Sequence, residues 1–196
     1  MVEPGNDEAR AVLGWAEYFD GDHSSATITF KTALRRQPNW EGLYDGLGWS
    51  RLRVGHPRLA RDAFHAALAL EPQYLDALIG LGFAEYELRR YSEAMPPLTT
   101  ALSQLTPTIG EELFQAQRVR AKIGWSLYHL GRYQDALVVF QTGAGAQRDA
   151  HVFQAGMGWC YLRLQRSGDA RVAFERALAL EPSYEDAVEG LRLASR

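Results

Sequence analysis

The chain has 196 residues, 46% of them hydrophobic and 23% charged, with a formal net charge of −3. This composition excludes intrinsic disorder, and without a concentrated basic patch neither nucleic acid nor an anionic membrane surface is an expected partner. Apolar runs stay about one amphipathic helix long, short of the ~20 residues that span a bilayer, and a single cysteine, Cys160, excludes an internal disulfide. Residues 1–5 lack the basic and apolar regions of a signal peptide. The chain therefore reads as soluble, with the cytoplasm favoured, or the periplasm if a leader has been removed. Only Lys31 and Lys122 are lysines among 21 basic residues, a bias of the kind GC-rich, bacterial-like codon usage produces.

Along the chain a glycine followed by a large aromatic recurs five times, as Gly14-Trp15, Gly48-Trp49, Gly82-Phe83, Gly124-Trp125 and Gly158-Trp159. Successive glycines lie 34, 34, 42 and 34 residues apart, so one unit carries eight extra residues. Taking Asp7, Glu41, Leu75, Gln117 and His151 as first residues, the eighth place is always glycine and the twentieth always alanine, Ala26, Ala60, Ala94, Ala136 and Ala170. Four places on stands Phe30, Phe64, Leu98, Phe140 or Phe174, and Pro38, Pro72 and Pro182 close three units. Between these columns apolar residues follow helical periodicity on either side of a turn at Gly21, Gly55 or Gly131, so each unit predicts two helices. Ser24 or Ser25, Pro57, Ser92 and Ser167 stand where the second helices should start, as caps or a first-turn proline. A glycine kept inside a helix at a cost of about 0.5–1 kcal/mol implies that a Cβ would collide with the partner helix.

Three departures interrupt the pattern. Met95-Pro96-Pro97 should delay or kink the second helix of unit three, whose closing proline is displaced to Pro107. The eight extra residues fall in a helical pattern from about Gly110 to Lys122 and predict a lengthened, protruding first helix in unit four. Gly143-Ala144-Gly145-Ala146, with Arg148 in the place of the proline, predicts a pliant joint before unit five.

These columns, an aliphatic residue then glycine, alanine-x-x-x-phenylalanine, alanine and proline on a 34-residue period, resemble the tetratricopeptide repeat. The resemblance covers residues 7 to 182 and implies an all-α fold, a right-handed α-solenoid of antiparallel helix pairs whose first helices line a concave groove. On it residues 1–196 form one solenoid domain: repeats 7–40, 41–74 and 75–108, an insertion at 109–116, repeats 117–150 and 151–184, and a capping helix at 185–196. It implies a non-enzymatic scaffold for a protein or peptide partner, an amphipathic one among the candidates.

The ninth and twelfth places form a stripe a quarter turn from the eighth, and by the resemblance this stripe faces the groove. It holds Trp15, Tyr18, Trp49, Phe83, Tyr86, Trp125, Tyr128 and Trp159, with Leu52 and Leu162. Two explanations stand side by side. The indoles anchor a bound segment, or they fill the step to the next repeat with the sixth-place glycines, Gly46, Gly80 and Gly156, as seats. In the second case the chain is an assembly or self-associating subunit acting through the long helix of repeat four or the chain ends. Stacking of sugar rings on the indoles ranks below both, for want of a dense amide and carboxylate set.

Tetratricopeptide domains that clamp a C-terminal carboxylate use basic residues and asparagines at groove places. Here those places hold Glu8, Ala11, Gly42, Asp45, Asp76, Ile79, Trp15 and Trp49, which disfavours chaperone tails. Arg118 and Lys122, with His129 and Arg163, are the comparable basic group. His23, His56, His65, His129 and His151 fall in different units without a ligand motif, so no metal, cofactor or catalytic residue is expected. Cys160 stands in a column of small residues, Ala16, Ser50, Ala84 and Ser126, and reads as a packed thiol.

Overall fold

The computed structural model describes residues 7–105, 111–145 and 150–195, and all its elements there are helices. In chain order these are α1 (Asp7–Phe19), α2 (His23–Leu34), α3 (Glu41–Arg53), α4 (Pro57–Leu70), α5 (Leu75–Glu87), α6 (Tyr91–Gln104), α7 (Glu111–His129), α8 (Tyr133–Gly143), α9 (Ala150–Arg163), α10 (Ser167–Leu180) and α11 (Glu185–Ala194). Two compact units divide them, residues 1–101 and 102–196. In the first, α1 packs on α2, α2 on α3, α3 on α4 and α4 on α5; in the second the order is α7 on α8, α8 on α9, α9 on α10 and α10 on α11. Each unit is thus a stretch of α-solenoid, helix pairs stacked in sequence order.

The pairs close through one repeated turn. Gly21, Gly55 and Gly131 sit there with φ between 76° and 88°, where a side chain would be strained. Arg89 and Gln165 hold the same place in their repeats with φ of 59° and 60°, so two turns keep the left-handed conformation without glycine. Helix starts differ from the serine caps expected. Ser24, Ser25 and Ser92 lie inside their helices, and Ser167 is the first residue of α10. The cap of α2 is Asp22, whose side chain accepts from the Ser25 backbone N–H at 3.0 Å. Pro57 does open α4.

The core is a series of phenylalanine sockets. A Cβ on Gly14 would stand 2.8 Å from the Phe30 ring, and one on Gly46, in the following repeat, closer still. Gly48 and Gly80 hold Phe64 in the same way, Gly124 and Gly156 hold Phe140, and Gly158 and Gly190 hold Phe174. Each of these four rings is completely buried. The eighth-place glycine therefore admits the phenylalanine of its own repeat, as expected. The sixth-place glycine, expected to seat an indole, instead admits the phenylalanine of the repeat before it. Since a helix pair exposes an apolar face that only its neighbour covers, one side chain closes both the pair and the step to the next.

Among the irregular places, α6 begins on schedule at Tyr91 with Pro96 and Pro97 inside it. The two prolines remove amide donors from its first half, and the Thr99 hydroxyl donates to the Met95 and Pro96 carbonyls, each at 2.9 Å. Helix α7 has 19 residues against 13 or 14 in the other first helices of the repeats. Its added turns do not stand free, because Ala116 and Val119 are buried and Leu113 and Phe114 half-buried. Helix α8 ends at Gly143, where the Phe153 ring occupies the space a Cβ would need. Pro107, Gly110, Ala146 and Arg148 lie outside the described residues.

Candidate functional site

The aromatic stripe is built on the first helix of each repeat. Trp15, Trp49, Trp125 and Trp159 are all half-buried. Each turns an edge onto the socket phenylalanine of its own repeat, with ring centroids 5.3–5.5 Å apart and interplanar angles of 67–78°. Such edge-to-face contacts stabilise by about 0.5–1.5 kcal/mol beyond burial. The indoles are thus fixed from below and retain open surface above. Tyr18 and Tyr128 extend two of them at 5.6 and 5.5 Å, and Tyr86 meets Tyr91 at 5.4 Å. Phe83 differs from the rest of the stripe. It is only 6% exposed and meets Trp49 edge-on at 5.9 Å, so it supports the neighbouring indole and presents little surface of its own.

In the first unit, acid surrounds this stripe. Glu41, Asp45 and Trp49 follow one another at four-residue steps along α3 and share a face. Asp45 is 1% exposed, the Trp49 indole N–H donates to its carboxylate, and its Oδ1 has no hydrogen-bond partner. Burial, with Asp76 second, holds its carboxyl well above the ordinary carboxylate range. Tyr74, just before α5, is half-buried. Its phenol is pushed up first by burial and then by Asp45, Asp76, Glu41 and Glu71. Sequence reasoning found Asp45 and Asp76 only as groups that repel a carboxylate. The burial of Asp45 could not be read from a charged residue at a groove-facing place.

The second unit keeps an acid at the place of Asp76 only in α11, as Asp186 after Tyr184, and lacks the buried one. Arg118 and Val152 stand at the place of Asp76, and Ala121 and Ala155 at that of Asp45. Arg118 lies 5.7 Å over the Phe114 ring, and Arg163 lies 5.3 Å over Tyr133 while its Nε donates to the Tyr133 hydroxyl at 3.0 Å. Arg163 and Arg118 are thus engaged locally. Cys160 is buried, and burial pushes its thiol up to about 12, so it is a packed group with little thiolate character.

The family profile described as tetratricopeptide repeat matches residues 46–108 and 121–186. The chain belongs to the tetratricopeptide repeat family. Among curated relatives, the peroxisomal targeting signal receptor of Kluyveromyces lactis is 32% identical over 103 residues, which are 53% of this chain and 18% of that receptor. The receptor of Saccharomyces cerevisiae is 30% identical over 96 residues, 49% of this chain and 16% of the receptor. The matched segment thus spans less than a fifth of those relatives. Among solved structures, YrrB, described as a tetratricopeptide protein with an unusual peptide-binding site, superposes with a TM-score of 0.78 at 17% identity, covering 93% of this chain and 90% of that one. MamA of Desulfovibrio magneticus RS-1 gives 0.80 at 15% identity, covering 93% and 99%. At these identities the likeness concerns the tetratricopeptide fold. No helix among the described residues is long and apolar enough to cross a membrane.

Proposed function

We propose that this chain is a non-enzymatic tetratricopeptide scaffold that binds a protein segment on the aromatic face of its first helices. The observation that carries this reading is the repeated half-burial of Trp15, Trp49, Trp125 and Trp159, each braced on a buried phenylalanine. Preorganised indoles with one free side anchor a partner at low entropic cost. The family binds protein partners as a class, and YrrB is described as having a peptide-binding site.

The test is capture from native lysate with a photoreactive residue in place of Tyr18 or Tyr128, beside a Trp49→Ser, Trp125→Ser variant whose circular dichroism and melting temperature are checked. The expected result is a partner cross-linked at these places and lost by the folded variant. Equal capture by the folded variant, with no cross-link from the stripe, would remove the face from consideration. A second reading, self-association through a chain end, is favoured by the exposed Val12, Phe19 and Ile28 of the first repeat, Phe19 being 78% exposed. It predicts a mass that rises with concentration in sedimentation equilibrium and falls with Phe19→Ser.

A further inference from the structure

Two buried carboxylates in the first unit are treated differently by their surroundings. Glu85 is as inaccessible as a core residue, but Arg90 lies 3.4 Å from it. Both keep one oxygen without a hydrogen-bond partner, but Asp45 is more deeply buried and feels a second carboxylate, Asp76, in place of a cation. Among the described residues, none of the groups acting on Asp45 or on Tyr74 is cationic. A buried charge left uncompensated is costly, and an isolated fold would be more stable with an amide or an apolar residue there.

The surroundings of Asp45 are those that recognise a cation. Asp76 and Glu41 are half-buried, at the rim, with Asp45 behind them. Trp49 and Tyr74 pack on one core cluster, and the Tyr74 hydroxyl lies 3.8 Å from where a Cβ on Gly42, the neighbour of Glu41, would stand; aromatic faces attract ammonium and guanidinium groups. A field set in a low-dielectric wall acts more strongly than the same charges in water. A metal ion is a poorer occupant, because among the described residues no group of three or more His, Cys, Asp or Glu side chains is arranged to hold one.

We infer that the recess formed by Glu41, Asp45, Trp49, Tyr74 and Asp76 on the first-helix face of the first unit is a subsite for a lysine or arginine side chain of the bound protein segment. The inference rests on the proposed binding face and adds its charge specificity. The rim carboxylates hydrogen-bond the cationic head, the rings flank its alkyl stem, and Asp45 supplies charge from behind without contributing a flexible side chain.

The experiment titrates Nα-acetyl-arginine amide, Nα-acetyl-lysine amide and Nα-acetyl-norleucine amide into isotopically labelled protein and follows backbone and indole N–H shifts. Saturable shifts at residues 41–49 and 74–79 and at the Trp49 indole are expected for the two cationic probes and not for norleucine. Asp45→Asn and, separately, Asp76→Asn should weaken them at least tenfold, with circular dichroism unchanged. No saturable shift, equal shifts with norleucine, or shifts unaffected in both folded variants would overturn the inference. If the aromatic face still cross-links a partner in that case, only the cationic subsite fails. Loss of both results would remove the face itself.

Discussion

The two units of this chain share a core and differ on their first-helix faces. Phe30 and Phe64 in the first, and Phe140 and Phe174 in the second, are held by pairs of glycines from successive repeats with nearly the same close approach. The indoles brace on them with similar geometry. At the place of Asp45, by contrast, the second unit has alanine twice, and at that of Asp76 it has Arg118, Val152 and, in α11, Asp186. The closed phenylalanine sockets admit one solution repeatedly, whereas the first-helix places beside them differ between the units even where, as at Asp45, they are buried. The comparison separates what the fold requires from what it leaves open.

The largest test of the shared half is Phe64→Ala beside Phe174→Ala. Each should lose about 3–5 kcal/mol in urea denaturation, because a buried aromatic leaves a cavity between two repeats. A markedly smaller loss in one unit would show that its sockets collapse and that the cores are not equivalent. Gly80→Ala sharpens the point from the other side. Its Cβ would press into the Phe64 ring, so the expected loss is about 1–3 kcal/mol despite the better helix propensity of alanine. Adding Phe64→Leu should recover part of it.

The divergent half is broken by Asp45→Asn. Relieving the cost of ionising this buried carboxyl should raise stability toward neutral pH by about 1–3 kcal/mol. Its sign with pH is fixed by the raised carboxyl. The folded state holds this proton more tightly than the unfolded chain, so the contribution of Asp45 is fully present below the ordinary aspartate value of 3.8 and declines as pH rises through the higher folded value. The wild-type minus Asp45→Asn difference should therefore grow less favourable from acid toward neutral pH and then level off. A flat difference would place Asp45 in a hydrated site, and no residue of the second unit should reproduce the slope. The smallest expected effect lies in the turns that each unit contains once without glycine. Arg89→Gly and Gln165→Gly should each gain about 1 kcal/mol by relieving the left-handed conformation, seen as a rise in Tm.

Nearly all of the helix pairing was legible in the sequence, because the period, the invariant eighth-place glycine and the twentieth-place alanine each state a packing distance. The sequence also placed Trp15, Trp49, Trp125 and Trp159 on one stripe. Other features were not legible, for definite reasons. Pro96 and Pro97 were expected to delay or kink α6, yet it begins at Tyr91 and takes both as its sixth and seventh residues, losing two amide donors within the helix. The sixth-place glycines were assigned to indoles because sequence neighbours are visible and the ring of the previous repeat is not. Phe83 has the stripe's position but not its exposure, which depends on surroundings that the periodicity of one helix does not encode.

The shared sockets also redefine what counts as a module. A segment cut at the conventional boundary, first helix to second, carries a phenylalanine with one of its two glycines missing. A segment shifted by one helix, from α2 through α3 or from α8 through α9, carries Phe30 with Gly46 or Phe140 with Gly156. For grafting, recombination or shortening of such an array either seam divides a socket, so the join must bring a glycine back to the ring: Gly14 or Gly124 when the cut falls within a pair, Gly46 or Gly156 when it falls between pairs.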